Sequence, residues 1–442
     1  MAEGPQAREI PSLVSSVSLT LATRVAAFGF SLVTNIILAR ALGPEGRGTY
    51  AVAVLIPAVI ALFAQLGIGP ANVYYFSKGL IDPDDLIAHS VALALVLGTL
   101  CFLGVWAYIK LAGSTQFLGV EPRFVIVSCL AIPFALLTIF LQGILQGGQR
   151  FLQFNVVLLV QYSSPAATLV GAFLLFHQST LMAVIAWTAS TTLTALVAVY
   201  CVAPLWRFRL RLLPNTLKPL LRFGLISYLG SLTSFVNYRF DVFIVNLFSG
   251  ARQVGLYSVG TGLAEIVWYL ANAAGIVLAP RVASSAREEA DRITEAVCRV
   301  VSGLTTVAAG ALALLTPFVV VLFFGASFAE SSWAVWLLLP GIVTFSVARV
   351  LSMYLLGVNK LKVDLIASVV GMVLTLALDL ALIPHFGFRG AAVASSIAYS
   401  ATLAVDLYWV TRHSTMTLGA LMIPRPQDAR LLWQRLRTVS GF

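Results

Sequence analysis

Apolar runs of about 20 residues, each closed by a proline, a glycine or a cluster of charges, follow one another from residue 14 to residue 411. A run of that length is what an α-helix needs to cross the roughly 30 Å hydrocarbon layer of a bilayer, and a helix satisfies its backbone hydrogen bonds within itself. The windows fall at 14–38, 50–72, 87–110, 124–145, 153–176, 181–203, 224–247, 256–279, 300–324, 333–356, 365–384 and 391–411. Twelve such windows predict an all-α polytopic membrane protein. Composition agrees: 59% of residues are hydrophobic and 10% charged, where soluble domains carry roughly a quarter charged residues. Connections are short apart from 204–223, 281–299 and the tail from Arg412. That leaves no room for a folded catalytic domain outside the membrane, so an enzyme is not expected.

The net charge of +10 raises the question of nucleic acid, and the placement of the basic residues answers it. With the N-terminus on the cytoplasmic side, inside segments hold 19 Lys and Arg residues and outside loops hold 6. This asymmetry is the positive-inside pattern. It predicts cytoplasmic termini and contact with anionic lipid head groups, with no nucleic-acid partner. The polar start MAEGPQAREIPS and the internal Arg24 make the first window read as a retained helix rather than a signal peptide. Cys101, Cys129, Cys201 and Cys298 lack CxxC spacing and read as small core residues, and the scattered His89, His177, His385 and His413 predict no metal site. GPEGRG at residues 43–48 lacks the GK[ST] ending of a phosphate loop and follows no strand, so no nucleotide cofactor is expected.

Weak internal likenesses recur at a nearly constant offset. GTYAV from Gly48 resembles GLYSV from Gly255, 207 residues later, and Pro133 corresponds to Pro340 at the same offset. LQGGQRF from Leu145 resembles LLGVNKL from Leu355, at 210. The pattern predicts two six-helix lobes related by an axis along the membrane normal, with a cavity between them. The expected organisation is a first lobe at 1–205, a basic cytoplasmic linker at 206–223, a second lobe at 224–411 and a cytoplasmic amphipathic tail at 412–442. RVASSAREEADRITEAVCRV at 281–300 and ARLLWQRLR at 429–437 read as interfacial helices.

Seven charges fall inside windows: Arg24, Arg239, Asp241, Glu265, Arg349, Asp379 and Asp406. Each costs about 2.5–3.5 kcal/mol at a bilayer centre even on insertion scales, so all are expected to face the protein interior or a wet cavity. Arg239 and Asp241 are two residues apart, about 200° around a helix, and so serve different partners. An arginine suits an anion such as a phosphate or pyrophosphate, and an intramembrane aspartate suits a proton or sodium ion; the competing reading for each is an interhelical ion pair.

Four stretches carry a resemblance: LARALGPEGRGTYAV (38–52), LQGILQGGQRFLQFN (141–155), NYRFDVFIVNLFSGARQVGLYSVGTGLAEIVW (237–268) and LDLALIPHFGFRGAAVASSIAYS (378–400). In this order and spacing they resemble the polysaccharide-type flippases of the multidrug, oligosaccharidyl-lipid and polysaccharide exporter superfamily. The resemblance implies a V-shaped transporter of the bacterial inner membrane, expected as a monomer. It would flip an undecaprenyl-pyrophosphate-linked oligosaccharide by alternating access, beside polymerase and glycosyltransferase machinery. The implied substrate-binding residues are Arg24, Arg239, Arg349, Glu265, Asn237 and Tyr238. A coupling ion, sodium or a proton, would sit at Asp241, Thr375, Asp379 and Ser395, of which Thr375 and Asp379 share a helix face. Rival readings are a multidrug/cation antiporter, a lipid II flippase and, from another class, a membrane glycosyltransferase or polymerase. The antiporter usually has an acid in its first lobe, where this chain is expected to have Arg24 and no buried acid.

Overall fold

The apolar windows fold as helices, and their breaks fall where glycine or proline interrupts the hydrogen-bond ladder. The computed structural model describes residues 13–112, 119–207 and 214–422. In chain order the helices are α1 Leu13–Ala64, α2 Ile68–Ser77, α3 Pro83–Ala112, α4 Pro122–Cys129, α5 Ile132–Gly147, α6 Phe151–Leu175 and α7 Thr180–Val202. They continue with α8 Pro214–Ala264, α9 Trp268–Ser284, α10 Arg287–Phe324, α11 Ser331–Gly357, α12 Leu361–Phe386, α13 Phe388–His413 and α14 Leu418–Met422. No strand occurs among the described residues.

Nine helical segments among the described residues are long and apolar enough to cross a membrane by length and composition, against the twelve windows expected. The difference has three sources. Windows 14–38 and 50–72 share α1, which is continuous except at Gly43. Window 224–247 lies on α8, where the side chains of residues 226–237 fall outside the described residues. Window 256–279 straddles the end of α8, a 3-10 turn at Glu265–Val267 and α9, which has only 17 residues. Window 124–145 is also broken, at Leu130–Ala131, because Pro133 in the first turn of α5 has no N–H to continue the ladder from α4.

The kinks in α1 and α8 are alike. Gly43 has φ 65° and ψ −178°, and Gly250, 207 residues later, has φ 79° and ψ 174°. This region is open essentially to glycine alone, and an L-residue there costs about 1–3 kcal/mol. Gln149 and Asn359, 210 residues apart, both take positive φ two residues before a helix, at 54° and 58°. Both spacings equal the offsets of the sequence likenesses.

The chain forms two compact units: Met1–Leu42 with Ala53–Leu229, and Gly43–Val52 with Gly230–Phe442. The basic stretch expected as a linker is helical from Pro214 onward, as the start of α8, and 208–213 lie outside the described residues. In the first unit α5 packs against α2, α3 and α7. Buried Asn72 on α2 ties three of these helices together, donating to Ser90 Oγ at 2.8 Å and to the Phe140 carbonyl at 3.0 Å. In the second unit α11 packs against α9, α10 and α13, and α13 packs on α12. Leu314 and Val307 on α10 are 84% and 72% exposed. Such apolar surface is at rest against lipid rather than water.

The segment after α13 is held on the polar end of the second unit. Asp291 on α10 is buried and accepts from the Tyr354 hydroxyl at 2.6 Å and from the Thr415 backbone N–H and hydroxyl, both at 3.0 Å. Arg299 Nη1 then donates to the Ala420 carbonyl at 2.9 Å. The amphipathic stretch expected at 281–300 is therefore split between α9 and α10, and its buried face holds Met416 and Leu421 close by. The amphipathic stretch at 429–437 lies outside the described residues.

Candidate functional site

The middle of α8 places Tyr238, Arg239 and Asp241 within four residues, and each looks to a different neighbour. Arg239 Nη2 lies 3.1 Å from Glu265 Oε2, an ion pair whose side chains are 43% and 24% exposed. Glu265 sits in the 3-10 turn that interrupts the eighth window, so the break delivers the carboxylate to the arginine. Asp241 is buried and accepts hydrogen bonds from the Tyr257 hydroxyl and, at 2.8 Å, from the Val242 N–H. The separate partners of Arg239 and Asp241 follow from their 200° separation. Arg239 adopts the interhelical ion pair that was its competing reading.

Asp379 on α12 is fully buried, and neither carboxylate oxygen has a hydrogen-bond partner among the described residues. It lies within electrostatic reach of Asp241. Thr375, one turn earlier, is fully buried as well, and Ser395 on α13 is 1% exposed and adjoins Tyr257. Asp241 and Ser395 thus meet at Tyr257, with Asp379 within electrostatic reach of Asp241 and Thr375 on the Asp379 face. A desolvated carboxylate without donors is costly, and a cation or proton relieves that cost. No group of three or more His, Cys, Asp or Glu residues suited to a metal occurs among the described residues.

Arg349 on α11 is half-buried and spreads over aromatic rings, with its guanidinium carbon 5.7 Å from the Tyr238 centroid, 5.9 Å from Trp268 and 5.5 Å from Phe345. Tyr399 completes the cluster, 4.8 Å from Phe345. Asp406 on α13 is buried, with Oδ1 unpartnered among the described residues, and feels Asp364 as its charged neighbour. Arg24, in the first unit, is exposed. The side chain of Asn237 lies outside the described residues. The expectation of no buried acid in the first half is corrected: Asp84 is 9% exposed. It sits in the first turn of α3 and accepts from the Arg207 backbone N–H at 2.6 Å, which makes it a helix-end anchor rather than a mid-helix acid.

Sequence reasoning missed Tyr257, Trp268, Phe345 and Tyr399. Phe345 had a local signal, since it stands four residues before Arg349 and shares its face. The others reach the site only by helix crossing, and no spacing rule connects Asp241 to a tyrosine 16 residues on.

The family described as polysaccharide biosynthesis protein matches residues 13–286, well over half of the chain. The chain belongs to the polysaccharide biosynthesis protein family. Within the reach of that family, the chain is 22% identical over 412 residues to a Haloferax volcanii protein named "Probable low-salt glycan biosynthesis flippase", covering 90% of this chain and 83% of that one. It is 24% identical over 274 residues to a Shigella flexneri protein named "Putative O-antigen transporter". That alignment spans 58% of this chain and 65% of the relative, just under two thirds of its length. Among solved structures, a lipid II flippase in its inward closed conformation superposes with TM-score 0.76 at 15% identity, covering 90% of this chain and 87% of the other. An inward-facing multidrug resistance transporter, described as a member of the MOP superfamily, superposes at 0.67 with 17% identity, over 89% of this chain and 96% of that one. At these identities the structural likeness establishes the fold, a helical multi-pass transporter fold.

Proposed function

We propose that this family member is a flippase that moves a polyprenyl-pyrophosphate-linked glycan across the bacterial inner membrane by alternating access. The observation that carries the reading is the relation over 90% of the chain to a named glycan biosynthesis flippase, inside a family named for polysaccharide biosynthesis. The chemistry of the second unit supports it: the half-exposed Arg239 offers a bidentate fork to a diphosphate, with Glu265 as the counter-ion that Arg239 exchanges for substrate. Arg24, in the first unit, is an exposed guanidinium with the same capacity. Tyr238 supplies an aromatic surface for sugar. Two halves of six crossings is the arrangement that the matching kinks at Gly43 and Gly250 support, and the excess of Lys and Arg in alternate connections favours cytoplasmic termini, in a chain read as a monomer.

Coupling to a cation belongs to the same proposal. The donors at Asp241, Asp379, Thr375 and Ser395 are all oxygens, which suits a hard cation such as sodium, and the partnerless Asp379 carboxylate fits that role. The multidrug antiporter reading is less favoured, because the buried mid-helix acids Asp241 and Asp379 both lie in the second unit.

The deciding experiment reconstitutes the protein with a fluorescent polyprenyl-pyrophosphate oligosaccharide and a leaflet-specific quencher, with and without a sodium gradient. Protein-dependent transfer that rises with the gradient is expected. Transfer no faster than in protein-free vesicles, together with efflux of a cationic dye, would favour the antiporter.

A further inference from the structure

In the first unit α5 is packed on nearly every side, yet its two glutamines reach the surface. Among the sixteen residues of α5 Gln146 alone is exposed, and Gln142, one turn earlier and about 40° around the helix, is half-buried. Gln142 Nε2 donates to Gln161 Oε1 of α6 at 3.0 Å. Gln161 is itself exposed, within the largely apolar run VVLLVQYSS.

An exposed residue of a membrane helix faces either lipid or a wet opening, and the periodicity of α6 decides between them. The exposed leucines and valines Leu152, Val156, Leu159, Val170 and Leu174 stand about 140–180° around the helix from Gln161 and form a lipid stripe; only the terminal Leu175 departs from it. The side of Gln161 carries buried Val157 and Ser164, and Thr168, whose hydroxyl donates to the Ala186 carbonyl of α7 at 2.9 Å. Gln161 is therefore exposed on the face that meets other helices, and it opens into a recess of the first unit rather than onto the bilayer.

The bond between the two amides leaves most of their capacity unused. A carboxamide carries two N–H donors and an oxygen that accepts twice. Gln142 keeps one N–H and its oxygen, Gln161 keeps both N–H groups, and the Gln146 side chain makes no hydrogen bond among the described residues. An amide pair that only fastened α5 to α6 in lipid would turn these groups toward hydrocarbon, where nothing satisfies them. Neither α5 nor α6 contains a Lys, Arg, Asp or Glu residue, so no charge selects an ion. Uncharged donors and acceptors side by side match the adjacent hydroxyls of a sugar ring, each of which both donates and accepts.

We propose that Gln142, Gln146 and Gln161 form a subsite in the first unit for a neutral sugar of the transported glycan, binding adjacent hydroxyls through their amide N–H and C=O groups. The inference rests on the flippase reading and adds to it a specificity element that contains no charged group.

The test holds the full chain in phospholipid nanodiscs free of glycoside detergent. Saturation-transfer NMR is recorded with the methyl glycosides of glucose, galactose and N-acetylglucosamine, with inorganic pyrophosphate as competitor. Saturable transfer to at least one glycoside, undisturbed by pyrophosphate, is expected. Gln142→Leu combined with Gln161→Leu replaces the bonded amides by apolar side chains of similar size. This double variant is expected to weaken glycoside binding about tenfold and to raise KM for glycan transfer in the vesicle assay about tenfold, the loss of two neutral hydrogen bonds, while Tm is unchanged or higher. Gln146→Leu breaks no side-chain hydrogen bond among the described residues, so it reports even where the double variant does not fold, and a loss of about threefold is expected. Absence of saturable transfer to all the glycosides overturns the subsite, and displacement by pyrophosphate overturns its assignment to a neutral sugar. Wild-type binding by the double variant, or by Gln146→Leu where the double variant does not fold, overturns it too and leaves the amide pair as a fastening between helices. Failure of the wild-type chain to transfer lipid-linked glycan overturns the flippase reading, while glycoside binding still judges the subsite.

Discussion

Asp379→Asn is expected to raise the stability of the protein while removing its response to sodium, a pairing that a structural carboxylate would not produce. The Asp379 side chain is fully buried, and neither oxygen accepts a hydrogen bond among the described residues. Asp241 places a second carboxylate within electrostatic reach. A neutral polar group buried without partners costs about 1–3 kcal/mol and a charged one more, so neutralising the side chain returns on the order of 1–3 kcal/mol. Sodium held by the folded state alone adds about 2.7 kcal/mol at a concentration 100 times its Kd. For a unit of roughly 200 residues, 1 kcal/mol moves Tm by about 2–4 °C. Thermal unfolding in detergent, run in sodium chloride and in choline chloride at equal ionic strength, separates the two effects. Wild type should gain several degrees in sodium. The Asp379→Asn protein should begin a few degrees higher in choline, gain nothing in sodium and lose gradient-driven transfer. A lower Tm than wild type in choline, or an undiminished sodium shift, refutes the reasoning.

Arg24→Ala and Arg239→Ala are each expected to abolish glycan transfer in vesicles at normal expression, and wild-type transfer by both would remove the diphosphate role. Asp241→Asn should behave unlike Asp379→Asn: it weakens the Tyr257 hydrogen bond and lowers stability by about 1.5–3 kcal/mol, read as a fall in Tm. Asp291→Ala strips three donors of their acceptor and should cost about 3–5 kcal/mol. Buried Cys298, seven residues further along α10, should then become open to alkylation, and unchanged labelling would show that the clamp on the segment after α13 contributes little. Gly250→Ala forces a side chain into the kink of α8 and should cost about 1–3 kcal/mol, with Gly43→Ala matching it; a rise in Tm for either would contradict the strain argument.

Much of the fold is legible in the sequence because a bilayer imposes a local rule. Twenty apolar residues in a row satisfy both the hydrocarbon and the backbone. The helical angle by itself separates Arg239 from Asp241, and the recurring offset marks Gly43 with Gly250 and Gln149 with Asn359, since a backbone bend is a local property. Even the breaks at Pro133 and Gly43 carry a local signal that a hydropathy window averages away. The partners of the buried charges are another matter. Glu265 stands 26 residues from Arg239, and Trp268 and Phe345 lie on separate helices from Tyr238, so their meeting depends on where helices cross and in what register they pack. Periodicity assigns a side chain to a face, while only packing decides what that face meets. The sequence by itself therefore determined a multi-pass helical protein with charges that lipid would not tolerate. The tertiary structure decided that Glu265 neutralises Arg239, that Tyr257 holds Asp241, and that, among the described residues, Asp379 is left without a donor and Arg349 is set among rings with no carboxylate in ion-pair range.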